Sequence, residues 1–143
     1  MRVPTREDWG VIDKDDIEAQ YALDFFLGKT QQEAWEMCDY YALNYQEELQ
    51  SLPEYPFNFY ASVLAKYIIS DEAIDDSDGA SSFISMAAWM LKTQKSIIYL
   101  ETEKLLIASA KAVADNQEFY NASFGIYGDF KEEFKKVLIN ANI

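Results

Sequence analysis

Thr30–Leu52 reads TQQEAWEMCDYYALNYQEELQSL, and how this stretch is read decides the fold. It opens on Thr30 with Glu33 three residues later, a capping box that starts a helix, and it ends against Pro53, which stops one. Taken as one helix turning 100° per residue, it places Ala34, Cys38, Tyr41, Ala42, Tyr45, Leu49 and Leu52 within about 100° of arc, the width of a buried stripe. Tyr41 and Tyr45 are therefore expected in the core, with their hydroxyls reaching its edge. Tyr40 falls on the opposite side, near Glu33, Glu36, Leu43, Asn44 and Glu47. An aromatic ringed by charge is the makeup of an interface anchor. The alternative is an ordinary solvated face with one tyrosine on it.

Outward from this stretch, helical periodicity recurs and strand alternation is scarce. Residues 1–12 read as an irregular arm, with Trp9 tucked onto the body. A first helix is expected from Asp13 or Asp15, carrying the rows Ile17–Tyr21–Phe25 and Ala22–Phe26, and Gly28 ends it. A third should run from Phe57 to Ser70 and be largely buried, its only charge being Lys66. The DEAIDDSDGASS segment is a turn in which Asp76, Ser77 or Asp78 caps the next helix, the one holding Phe83 to Leu91. A further helix lies between Ser96 and Asn116, and SIIYLE is the one place for a short strand. Two glycines make NASFGIYGD a loop. The last helix aligns Phe130, Phe134, Val137 and Leu138, with Glu132 and Lys136 as an i, i+4 pair. The reading is all-α: a single bundle-like domain, 1–143, of about six helices.

The chain of 143 residues carries nine Phe, ten Tyr and three Trp, which is incompatible with an acidic disordered chain. Its formal charge of −13 is unevenly spread. Through Asp78 there are 18 acids and 5 bases; from Gly79 onward there are 7 of each, so the whole excess lies in the first 78 residues. Such a surface repels nucleic acid and anionic membrane and attracts basic partners. No apolar run reaches the length of a membrane span, and the polar N-terminal residues do not form a signal peptide, so a cytoplasmic protein is expected.

Chemistry is sparse. There is no histidine and one cysteine, Cys38, which falls on the buried stripe without a base to activate it. The acids Asp71, Glu72, Asp75, Asp76 and Asp78 fail the EF-hand template: Gly79 at loop position six puts Ile74 at position one and Ser85 at position twelve, where acidic ligands belong. The Gly28-Lys29-Thr30 triplet lacks the upstream glycine of a phosphate-binding loop. The sequence thus points to a non-enzymatic protein with no cofactor and no metal.

Phe26-Leu27-Gly28-Lys29-Thr30, Glu33-Ala34, Tyr45-Gln46-Glu47-Glu48-Leu49 and the aromatic cluster Phe57, Phe59 and Tyr60 form a pattern that resembles a family of small bacterial helical proteins. These are similar in type to the immunity proteins of bacterial toxin systems. The resemblance spans about residues 23–85 and transfers no residue of known role. It implies an inhibitor that occludes a basic site on a toxin or nuclease, a use to which one-sided negative charge is suited because it accelerates encounter. Glu36, Tyr40, Glu47, Asp71, Asp75, Asp76 and Asp78 are the expected partner-binding residues. A rival expectation is a helical adaptor or homo-oligomeric subunit using the nearly uncharged stretches 57–70 and 83–91 as an apolar interface. An enzyme built on shifted carboxylates would need a deep pocket lined by perturbed acids.

Overall fold

Caps written into the sequence set most of the helix starts. The structure, a computed structural model, describes residues 1–142. Asp16 accepts from the Ala19 N–H and starts α1, Ile17–Phe26, and Gly28 follows its end at φ 78°. Thr30 Oγ1 accepts from the Glu33 N–H at 3.2 Å while Glu33 Oε1 accepts from the Thr30 N–H at 3.1 Å, so the expected capping box starts α2, Gln31–Tyr40. α3 is Ala42–Leu49, and α4, Glu54–Ile68, begins after Pro53. Asp76 accepts from the Gly79 N–H at 3.0 Å and caps α5, Ser77–Thr93. α6 (Leu100–Asp115), the short α7 (Phe124–Tyr127) and α8 (Phe130–Asn140) complete the chain, with 3-10 turns at residues 6–9, 71–73, 95–97 and 117–120.

The described residues form eight helices and no strand, in one all-α domain. SIIYLE, expected to have room for a strand, instead makes the 3-10 turn Lys95–Ile97 and the first residues of α6. Two further differences come from splitting. α7 forms within the expected glycine loop, and the expected single helix over 31–52 breaks at Tyr41, whose φ −133° and ψ 42° are not helical.

The break has a packing cause. α2 lies on α4, whereas α3 turns onto α5 and α1. Ala34 and Cys38 are buried on the first segment, and Tyr45, Gln46 and Leu49 on the second. One straight helix could not seal both surfaces. The break also corrects the assignment of Tyr41, expected in the core and in fact 56% exposed, while Tyr45 is buried as expected. In α1 the buried row is Ala22–Phe26, and Ile17 and Tyr21 are exposed. In α8, Lys136 pairs with Glu133 rather than with the expected Glu132, which pairs with Lys135.

α4, α5 and α6 form the middle of the molecule, with α1–α3 laid over α4 and α5 and α8 seated between α5 and α6. Most of the stretches proposed for an apolar interface lie in the core: Phe57, Phe59, Val63, Leu64 and Ile68 of α4, and Phe83, Ile84, Ala87, Met90 and Leu91 of α5, are buried, while Ile69 and Trp89 are exposed. Buried tyrosines close the helix ends. The Tyr60 hydroxyl lies 2.8 Å from the carbonyls of both Phe26 and Lys29, which share its one proton, and Tyr120 donates to the Ile68 carbonyl at 2.6 Å. At the end of α4 the Ile68 carbonyl, which lacks an intrahelical donor, is thereby satisfied inside the core, and at the end of α1 Tyr60 adds to the Lys29 N–H from which the Phe26 carbonyl already accepts.

Candidate binding cleft

The break at Tyr41 does more than redirect a helix. It leaves Tyr40 and Tyr41 side by side at the bend, 80% and 56% exposed, with ring centroids 6.4 Å apart. Opposite them stands the acidic turn between α4 and α5. The two segments enclose an open cleft of about 520 Å³. The bend contributes Asp39, Tyr40, Tyr41 and Leu43 to its lining, and the turn contributes Glu72, Ile74, Asp75, Asp76 and Asp78.

Hydrogen bonds fix these acids in place. The Trp35 indole N–H donates to Glu72 Oε2 at 2.8 Å, and the Tyr67 hydroxyl donates to Asp39 Oδ1 at 3.0 Å. Tyr127 donates to Asp78 Oδ1 at 2.6 Å. Asp75 sits at φ 64°, a left-handed conformation that aspartate tolerates better than most residues, and its N–H donates to the Phe119 carbonyl at 3.1 Å. Asp76 has its carboxyl raised above the usual range by burial and by the neighbouring Asp78 and Asp39, against the pull of the Gly79 N–H.

What the cleft lacks is a cation. None of its lining residues is Lys or Arg. Among the described residues the ion pairs are Arg2–Asp8, Lys95–Glu103, Lys111–Asp115, Lys135–Glu132 and Lys136–Glu133, and none reaches it. Nor do its carboxylates converge: no group of three Asp, Glu or Cys among the described residues is arranged to hold a metal ion. Cys38 is buried on the inner face of α2, and burial pushes its thiol well above the ordinary range, which disfavours the thiolate.

Of the expected binding residues, Tyr40, Asp75, Asp76 and Asp78 meet in this cleft. Glu36 lines a smaller depression that shares Tyr40 and Tyr41 with it and also includes Lys29. Asp71 lies in the same turn, exposed but outside the lining. Glu47 is carried elsewhere by the bend, to a groove with Glu18, Tyr21, Glu48 and Trp89. Asp39, Tyr41, Leu43, Glu72 and Ile74 also line the cleft and are not among the expected binding residues. Tyr41 was hidden by the assumption of one helix, and Ile74 stood out only as an apolar residue among five acids.

Comparison of the chain with protein-family models, with curated proteins and with solved structures finds no match. Among the described residues, no helix is long and apolar enough to cross a membrane.

Proposed function

We propose that this chain is a non-enzymatic, cytoplasmic binding protein that uses the cleft to occlude a basic site on a protein partner, in the manner of an immunity-type inhibitor of a toxin or nuclease. One observation carries this reading: exposed Tyr40, Tyr41, Leu43 and Ile74 adjoin five carboxylates that no Lys or Arg neutralises. Unpaired carboxylates draw a basic surface in over long range, and flanking aromatics supply short-range energy once water is expelled. The adaptor reading is less well supported, since most apolar residues of 57–70 and 83–91 lie in the core and only Ile69 and Trp89 among the large ones are exposed.

The test is affinity capture from cells of the source organism at low salt, followed by a salt gradient and an inhibition assay on what is released. A basic protein whose activity the chain blocks, bound less well by Tyr40→Ala with Asp75→Asn and equally well by Glu47→Gln, supports the cleft. Capture that ignores both salt and the cleft variants overturns it.

A further inference from the structure

A second groove lies between α4 and α6, and it shares no lining residue with the acidic cleft. Its volume is about 460 Å³, within the range of small-molecule sites, which in helical domains commonly open between helices. Tyr55, Phe59, Ser62, Val63 and Lys66 line it from α4, at positions i, i+4, i+7, i+8 and i+11 of a single face. At 1.5 Å per residue that face is about 16 Å long. Phe59 and Val63 are buried and form the floor; Tyr99 and Leu105 stand on the α6 side.

Both aromatic walls are held from behind. The Tyr55 hydroxyl donates to the Arg2 carbonyl at 2.7 Å, and the Arg2 guanidinium lies 4.5 Å from the Tyr55 ring centroid. Asp8 takes both Arg2 amino groups at 2.7 Å, so the guanidinium behind that wall is paired, while Met1 of the same arm reaches the groove lining. Across the groove, the fully buried Asn58 accepts from the Tyr99 N–H at 2.8 Å and donates to the carbonyls of Ile97 and Glu54. Walls set before a ligand arrives are not ordered at its expense.

The charges select the ligand. Lys66 is exposed at one end and makes no ion pair among the described residues, although the chain carries 25 acids against 12 bases. Glu101 lines the α6 side near its N-terminus and is likewise unpaired. An anionic head at Lys66 is attracted, a second anionic group toward Glu101 is repelled, and between them Phe59, Val63 and Leu105 offer apolar surface beside the hydroxyls of Ser62 and Thr102. The acids of the other cleft are screened beyond roughly 8 Å at physiological ionic strength.

We infer that the α4–α6 groove binds a small amphipathic monocarboxylate, its apolar body on Phe59 and Val63 between Tyr55 and Tyr99 and its carboxylate on Lys66. Decanoate, below its micelle concentration, is the probe, with decyltrimethylammonium as its cationic counterpart; both are titrated into the full chain by calorimetry and by amide chemical shifts. Decanoate should shift the amides of residues 55–66 and 99–105 and bind better than the ammonium. Lys66→Glu, an exposed change whose fold is checked by circular dichroism, should weaken decanoate by about tenfold or more. Lys92→Glu, at an exposed position on α5, should leave it unchanged. The inference is overturned if millimolar decanoate leaves those amides unmoved, if Lys66→Glu binds it as the parent does, or if the ammonium binds equally well.

Discussion

Trp35 and Glu72 are joined by a 2.8 Å hydrogen bond from indole to carboxylate, although 37 residues separate them in the chain. The bond ties α2 to the acidic turn and so sets one width of the cleft. Trp35→Phe keeps a ring against Tyr67, to which Trp35 now packs edge-on at 5.5 Å, but removes the donor. The expected result is a loss of about 0.5–1 kcal/mol in urea denaturation and faster amide exchange across residues 71–78. Unchanged exchange there would mean that the turn holds its position without α2.

Tyr45 supports the other side of the bend. It is fully buried, packs edge-on against Phe26 at 4.8 Å, and donates to the Tyr60 carbonyl at 2.7 Å. Tyr45→Phe should cost about 1 kcal/mol, the usual net value of a single hydrogen bond. Tyr45→Ala, which empties the site, should cost about 3–5 kcal/mol. If the two variants were equally stable, α3 would not depend on the ring for its place on α1 and α5.

At Asp76, capping and charge pull in opposite directions. Its carboxyl is raised, so the native state binds a proton more readily than the unfolded chain. Stability contributed by this group therefore falls as pH rises from the unfolded aspartate value, about 3.9, through the higher folded one, and the ionised form carries a penalty at neutral pH. Asp76→Asn retains a good N-cap without the charge. It should be more stable than the parent at pH 7, with the gain shrinking as pH is lowered through that interval. Asp76→Ala loses about 1 kcal/mol of capping energy but sheds the same charge, so its net loss should be larger at pH 3 than at pH 7. Thermal melts across pH 3–7 separate the two effects, and an Asn variant weaker than the parent at pH 7 would show that the carboxylate is better tolerated than its surroundings suggest.

Gly79 is where that cap leaves no room. A Cβ at this position would collide with the Asp76 carboxyl, although the backbone itself is ordinary helix. Gly79→Ala, which in an exposed helix would gain about 1 kcal/mol, should here destabilise by displacing the cap. A melting temperature at or above the parent's would show that the Asp76 carboxyl can swing aside.

Salt should also stabilise the fold itself. With the charge excess confined to the first 78 residues, added sodium chloride screens repulsion among Asp39, Glu72, Asp75, Asp76 and Asp78. The melting temperature should rise between 20 and about 300 mM salt, and less steeply in Asp75→Asn with Asp78→Asn. A flat or falling curve in the parent would mean that the cleft's carboxylates do not strain the native state.

Helix boundaries marked by a chemical group were legible. Thr30 with Glu33 and Gly28 act through their own backbone or side chain, so a local reading finds them, and it narrows the cap of α5 to three residues including Asp76. Pro53, expected to stop a helix, instead precedes α4, and α3 ends earlier at Leu49. The bend at Tyr41 was not legible, because neither glycine nor proline marks it. Its cause is the separation of the surfaces on α4 and α5 that the two segments must cover, and that is a property of the assembled domain. The same limit decided the site. Tyr40 and the aspartates of the turn were found one at a time by residue type, but their meeting depends on the bend, as does the removal of Glu47 to another face. Lys66 was noticed only as the lone charge of an apolar helix; its groove is formed with α6, and periodicity finds that helix without showing that it packs beside α4.

The backbone of Asp75 is held by Phe119, the carboxyl of Asp78 by Tyr127, and the end of α4 by Tyr120. All three restraints come from the electrically balanced half of the chain. The halves that differ so sharply in charge are thus not separable modules: the second serves as the jig in which the first is clamped. A fragment ending before residue 117 would keep every one of the cleft's carboxylates and lose their arrangement. Grafting the segment 39–78 onto another helical scaffold would carry over the acids without the shape.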